Sequence, residues 1–280
     1  MPNKSLTLTL VIPVYNEEDY LPACLKAIAR QTVKPDEVLV VDNNSTDGTA
    51  KLAKKFKFVK LISEPRQGVS NAVERGFGLA KGEIIGRIDA DTILPPNWIA
   101  SVKGLLKDDR LAAVTGPVGY YDMPFSHTNY FFDHKMRQLT SRFAPENPFI
   151  FGSNMAIRKS SWRKIAGELC ERQDIHEDID IAVHLYLNGY KILYSPVLLA
   201  MASGRRYNDK PAKFIRYMAM YRRTFTEHGL HSLAIYPALF MWCLGYAYVH
   251  PWLGLWYKMF ANKQTRFPYS DKVRKNPMER

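Results

Sequence analysis

The 280-residue sequence predicts an α/β protein in which a mostly parallel sheet is flanked by helices and followed by a helical C-terminal tail. Three observations predict it. Short apolar runs alternate with amphipathic stretches from Leu6 to Asp89, acidic or amide-rich loops follow three of those runs, and from Arg205 onward basic residues heavily outnumber acidic ones beside the most apolar part of the chain. With 46% hydrophobic and 24% charged residues, the composition is that of a folded chain with a sizeable core. The natural division is one large domain over residues 1–204 and an appended region over 205–280.

Leu6 to Val14 is rich in Leu, Val, Ile and Thr and is stopped by Pro13, as expected of a buried parallel strand. Only Lys4 precedes this run and no small-residue cleavage site follows it, so it reads as a core strand and not as a signal peptide. Glu17, Glu18 and Asp19 then place negative charge where a helix begins, and Leu21, Cys24, Leu25 and Ile28 repeat at helical spacing. Glu37 to Val41 is a second strand, 42–48 a loop with helix-capping residues, and Thr49 to Phe56 a helix. Val59 to Ser63 is a third strand. Val69, Ala72, Val73, Gly76, Phe77 and Ala80 form a helical stripe ending at Gly82, and a fourth strand runs from Glu83 toward Asp89. Residues 117–150 show no clear period and read as a loop or short helices over a site. Ile179, Ala182, Val183, Tyr186 and Leu187 outline a helix closed by Gly189, and Lys191 to Tyr194 a further strand.

In a sheet of this kind ligands bind beyond the carboxyl ends of the strands, which directs attention to the loops after Val14, Val41 and Ile88. Asp89-Ala90-Asp91 offers two carboxylates on one short loop, an oxygen-rich setting for Mg2+ or Mn2+ beside substrate phosphates, or simply two solvated acids in a turn before Pro95-Pro96. Asp42 reads as an Asx turn or as an acceptor for a base or ribose. His176-Glu177-Asp178 reads as helix-dipole partners or as the place of a carboxylate that takes a proton from a hydroxyl.

Taken in order, these segments resemble the family 2 glycosyltransferases of the GT-A fold. The matching pieces are Val11-Ile12-Pro13-Val14-Tyr15-Asn16-Glu17-Glu18, the run from Val41 to Thr49, Gly82-Glu83 to Asp91, the run from Gly152 to Arg158, and Glu177-Asp178. The resemblance covers roughly residues 6–205 and implies a GT-A Rossmann-like, mostly parallel sheet flanked by helices. It further implies that Pro13, Tyr15, Glu17 and Asp42 line a nucleotide pocket, with Asp42 toward the base. Arg66 and Asn71 match the segment that approaches the nucleotide or its phosphates, and Arg205 and Arg206 match a place where basic residues face a diphosphate. Asn154 and Glu177 fall in matched segments as substrate contacts. Asp89 looks like a ribose-side or sugar-side acid that also borders the metal, Asp91 like the direct ligand of Mn2+ or Mg2+, and Asp178 like the catalytic base of an inverting sugar transfer from a nucleotide diphosphate sugar. Asn43 stands where many relatives have a second acid, and 167–171 replaces a frequent Gly-Gly-Phe-Asp-Glu. Met220-Tyr221-Arg222-Arg223-Thr224 lacks the Gln and Trp of a motif found in processive members, which implies single-sugar transfer.

The formal charge of +12 implies an anionic partner, and its concentration beside the apolar C-terminal region favours a membrane surface. From Lys210 to Phe225, the residues Phe214, Met218, Tyr221 and Phe225 share one helical face with Lys210, Lys213, Arg216 and Arg223 largely opposite, a basic amphipathic helix that suits a headgroup layer or a packed surface helix. Ser232 to Tyr257 contains no Lys, Arg, Asp or Glu, but Pro237, Gly245, His250, Pro251 and Gly254 interrupt it. A hairpin dipping into one leaflet, an interfacial helix pair or a buried helix pair fits this better than a clean span. A lipid-linked hydroxyl acceptor follows from that location. Cys24, Cys170 and Cys243 are odd in number without CxxC spacing, which suggests neither a disulfide framework nor a zinc site, and a reducing cytoplasm, at the cytoplasmic face of a membrane, fits best. Two other classes compete: a nucleotidyltransferase, which would want a Gly-rich, Lys-bearing phosphate loop unlike Pro13-Val14-Tyr15-Asn16, and a non-catalytic membrane or nucleic-acid adaptor, for which no nucleic-acid module signature exists.

Overall fold

In the computed structural model, which describes residues 5–260 apart from 173 and 234, the alternation seen in the sequence becomes β1 (Leu8–Val14), α1 (Leu21–Ala29), β2 (Glu37–Asp42), α2 (Thr49–Ala53), β3 (Val59–Ser63), α3 (Val69–Leu79) and β4 (Ile84–Arg87). Then follow α4 (Trp98–Leu105), β5 (Leu111–Thr115), β6 (Val118–Tyr120), α5 (Ser126–Phe143), β7 (Met155–Arg158) and α6 (Lys159–Ile165). The chain continues through α7 (Glu177–Leu187), β8 (Lys191–Tyr194), β9 (Ala200–Ala202), α8 (Pro211–Glu227) and α9 (Ile235–Phe260).

β1 is apolar on both faces because it lies in the middle of a sheet with helices on each side, and only Pro13 escapes full burial. Its alternate side chains divide between two cores. Leu8, Leu10 and Ile12 pack with Leu21, Leu25 and Ile28 of α1 and with Trp98 of α4. Val11 faces the other way, toward Ala72, Val73 and Phe77 of α3 and Ile181 and Leu185 of α7. The strands run in the order β3-β2-β1-β4-β7-β5-β8. β7 alone is antiparallel to its neighbours β4 and β5, so the sheet is mostly, not wholly, parallel. β6 and β9 pair separately as a small parallel ribbon.

Two expectations change. Residues 126–143, expected as loop or short helices, form the single 18-residue helix α5, which exposes Phe131, Phe132, Leu139 and Phe143 and fully buries only Arg137. A helix solvated on nearly every side leaves no apolar stripe to read. The expected hairpin or helix pair in 232–257 is instead one 26-residue helix, α9, with Pro251 inside it. Pro237 sits in its first turn, where a missing N–H costs nothing, and the packing of Tyr246, Val249 and Leu253 against neighbouring elements holds the helix through Pro251. No helix among the described residues is long and apolar enough to cross a membrane.

α8 buries Phe214, Met218, Tyr221 and Phe225, the face read from the sequence, against Ile179 and Val183 of α7 and Tyr246 of α9. The region after residue 204 thus completes the molecule around α7. Residues 261–280 of the basic tail, and Lys4, lie outside the described residues.

Candidate active site

Chain order runs outward from β1 to β2 and β3 on one side and to β4 on the other, so the loops at the carboxyl ends of β1 and β4 diverge and leave a cleft. The cleft holds about 250 Å³ and is open to solvent.

Its first wall begins where β1 ends. Asn16 adopts a left-handed φ of 55°, a conformation Asn tolerates better than branched residues do. Its side-chain carbonyl accepts the Thr46 amide at 2.8 Å and its own amide donates to Ser45 Oγ at 3.0 Å, which ties the β1 loop to the β2 loop. The Glu17 amide donates to Thr49 Oγ1 at 2.7 Å, and the Glu17 carboxylate thereby turns into the cleft. There Arg205 Nη2 lies 2.6 Å from Glu17 Oε1 and 2.9 Å from Asp91 Oδ2, with its guanidinium 4.4 Å over the ring of Tyr20. Burial works against this guanidinium's charge, but Asp91 and Glu17 outweigh it and raise its pKa. Asp91 is itself buried, and the Tyr121 hydroxyl donates to its backbone carbonyl at 3.0 Å.

The second wall rests on Arg87, the last residue of β4, almost wholly buried among apolar strands. Its Nη2 reaches Glu177 Oε1 at 2.7 Å and Asp89 Oδ1 at 3.4 Å. Burial opposes the charge on Arg87, and Glu177, Asp89 and Asp178 together overcome it, so its pKa is raised. Gly152 lies flat against that guanidinium, and a Cβ at this position would overlap it. The Gly152 amide donates at 2.9 Å to Asp178 Oδ2, while Asp178 Oδ1 accepts the Ile179 amide at 2.9 Å. Burial first, and the neighbouring Glu177 charge second, push the Asp178 carboxyl up to about 7. Burial would lift Glu177 as well, but Arg87 and His176 hold it below the usual range. Two adjacent carboxyls at the head of α7 are thus driven apart: one stays ionised, the other titrates near neutrality.

Pro13, Tyr15, Glu17, Asp89, Asp91, Glu177, Asp178, Arg205 and Arg206 all line this cleft. Four other expected contacts do not. Asp42 closes β2 and accepts the Ser45 amide at 3.1 Å, and it is the neighbouring Asn43 that lines the cleft. Arg66 lies at the surface, paired with Glu64 and Glu74. The Asn71 side chain donates to the Gln67 carbonyl at 3.1 Å. Asn154 is fully buried: Trp98 Nε1 donates to its Oδ1, and its amide donates to the carbonyls of Pro117 and Leu198. It holds the frame, and its expected contact with substrate is corrected accordingly.

Sequence reasoning missed the far side of the cleft. Arg137 of α5, ion-paired to Asp133, lies 3.5 Å over the ring of Phe151 and 5.2 Å from that of Trp242 of α9. Tyr217 and Tyr221 of α8 enclose His176, whose ring burial drives down to about 4. Arg87 carried a local signal, an arginine within an apolar strand just ahead of the acidic pair. The α8 aromatics showed as one apolar helical face, but only tertiary packing aims that face, and Trp242 of α9, at the cleft.

The family model of glycosyl transferase family 2 matches residues 9–166, more than half of the chain. Over 130 residues the chain is 30% identical to Glycosyltransferase GlyG of Streptococcus pneumoniae, covering 45% of this chain and 42% of that protein. Over 204 residues it is 26% identical to O-antigen chain rhamnosyltransferase RfbN of Salmonella typhimurium, covering 68% of this chain and 64% of that one. It therefore spans less than two thirds of both relatives. Among solved structures, the mannosyltransferase PcManGT from Pyrobaculum calidifontis in complex with GDP-Man and Mn2+ superposes with a TM-score of 0.63 at 21% identity, covering 94% of this chain and 77% of that one, a likeness of fold.

Proposed function

The chain belongs to glycosyltransferase family 2, and from that premise we propose that it is an inverting transferase moving a sugar from a nucleotide diphosphate sugar to a hydroxyl acceptor. The observation that carries this reading is that Asp89 and Asp91, after β4, and Asp178, at the head of α7, open into one cleft. Gly152 and Ile179 fix the Asp178 carboxylate by their amides, and its raised pKa suits a group that draws the proton from an attacking hydroxyl near neutral pH. Arg87 keeps Glu177 ionised, and that charge in turn lifts Asp178. Arg205 and Arg206 face the same space and are suited to the phosphate oxygens of the leaving group.

The carboxylates of Asp91 and Glu17 already converge on one cationic nitrogen, the oxygen-rich setting that a hard divalent cation takes. Asp91, with Asp89, would hold Mn2+ or Mg2+, which supplies positive charge against the diphosphate. PcManGT, of the same fold, is described in complex with GDP-Man and Mn2+.

We place the reaction at the cytoplasmic face of a membrane, with a lipid-linked acceptor. Tyr236, Phe240, Leu244, Tyr248 and Trp252 form an exposed stripe along α9. Phe125, just before α5, is exposed and touches Tyr248, α5 exposes Phe131, Phe132 and Phe143, and Arg216 and Arg222 are exposed on α8. The test is a thermal-shift panel of nucleotide sugars with and without Mn2+, followed by transfer assays on anionic vesicles bearing acceptor glycolipids. A donor that raises Tm only with Mn2+ and is consumed only with acceptor supports the reading; a fold indifferent to every nucleotide sugar sinks it.

A further inference from the structure

Behind the cleft, on the side of α7 facing away from it, four side chains from three segments come together. Cys170 precedes α7, Asp180 and His184 lie one turn apart on it, and His228 caps the end of α8. One ligand atom from each falls within 4.8 Å of the other three. His228 Nε2 lies 2.7 Å from Asp180 Oδ1, His184 Nε2 lies 3.6 Å from the same oxygen, and Cys170 Sγ lies 3.6 Å from His228 Nε2. The His184 Nε2 is buried and has no hydrogen-bond partner among the described residues.

From these four residues we propose a structural Zn2+ site that pins α7 to α8 and to the segment before it. A thiolate, two imidazoles and a carboxylate are a zinc set and a poor one for Mg2+ or Mn2+, and four protein ligands make a closed site with no place for substrate. Ligand distances of about 2.0–2.3 Å from zinc put tetrahedral ligands roughly 3.3–3.8 Å apart, and two of the separations already stand at 3.6 Å. The shorter Asp180–His228 contact is a hydrogen bond whose proton the ion replaces. On binding, the Cys170 thiol releases a proton and the His228 ring carries its own on Nδ1, which leaves Nε2 free for the ion; the thiolate and the Asp180 carboxylate then neutralise the two positive charges of the ion in a half-buried place. The outer partners are present too: Glu168 Oε2 sits 3.3 Å from His184 Nδ1 and accepts from Asn188 at 2.9 Å, and the Cys170 amide donates to Asp180 Oδ2 at 2.9 Å. Cysteine spacing did not suggest such a site because its ligands lie at 170, 180, 184 and 228.

The test uses the full chain. Metal analysis after desalting should find about one zinc per chain, and Co2+ in its place should give a thiolate-to-cobalt charge-transfer band in the near ultraviolet. Cys170→Ser should abolish that band, His184→Ala should lower the zinc content, and Asp91→Asn should change neither, which separates this site from the Mn2+ site. Should Cys170→Ser fail to fold, the cobalt spectrum of the unaltered protein decides alone. Zinc below about one ion per ten chains together with no cobalt charge-transfer band, or a band that persists in Cys170→Ser, overturns the site.

Discussion

The wall that begins where β1 ends presents its charges on loops, where the buried carboxylates of Glu17 and Asp91 share Arg205. The facing wall, from the end of β4 and from α5, α7, α8 and α9, carries its charges on strands and helices: Arg87, Glu177, Asp178 and Arg137 sit among aromatic rings and apolar strands. A loop carboxylate can turn to a new cationic partner when one arrives, because no sheet or helix ladder holds its backbone. A charge within the packed wall is bound to its partner, because an unpaired ion there has no water to fall back on. The first wall is therefore suited to exchanging ligands and the second to keeping one geometry.

The largest test of that contrast is Asp178→Asn. It should lower transfer by about 10²–10⁴-fold, the usual worth of a general base, while nucleotide affinity, held by the other wall, stays nearly unchanged. Initial rates and a nucleotide titration read the two effects, and an active Asn variant would break the assignment. Next comes Arg87→Met, which leaves the largely buried Glu177 without its cationic partner and should cost roughly 3–5 kcal/mol of stability in urea unfolding; a loss under about 1 kcal/mol would mean that water in the cleft replaces that partner. His176 gives a smaller effect. Its buried ring titrates at about 4, below its ordinary value, so stability is complete above about pH 6.5 and falls as pH drops toward 4, by about 2 kcal/mol at pH 5. Because Asp178, raised to about 7, gains stability over the same interval, the His176 loss is read as the difference between the unaltered protein and His176→Phe in urea melts at pH 7 and pH 5. Smallest is Arg66→Ala: its guanidinium is solvated at the surface, where it pairs with exposed Glu74 and reaches down to buried Glu64, so stability should move little, with nucleotide affinity unmoved. A large loss of affinity would return Arg66 to the cleft.

Legibility follows the same division. The strands of the first wall announce themselves by apolar runs that stop at acidic loops, and Glu17, Asp89 and Asp91 could be placed because a strand end fixes where its next residues go. β7 escaped because four residues, Met155–Arg158, are too few to carry a period. Asn154, read from a matched motif as a substrate contact, turns out to join Trp98, Pro117 and Leu198 in the core; a motif records that a residue is required without saying for what. Glu177 and Asp178 were found, but their unlike ionisation was not, because it depends on Arg87, 90 residues away in sequence. The length of α9 was hidden by Pro251.

α9 has two faces with different company. Trp242 stands in the cleft wall and donates to Asp133 at 3.2 Å, while Phe240 and Leu244, on neighbouring turns, are exposed on the outside. A helix with its side chains is about 10 Å thick, so whatever rests against the outer face is one helix away from the space in front of Asp178. For an acceptor tethered in a lipid layer, encounter would then be a search in two dimensions over a short radius, and the helix would act as a doorpost: its outer side sets where the sheet of lipid lies, and its inner side sets how far a head group must reach.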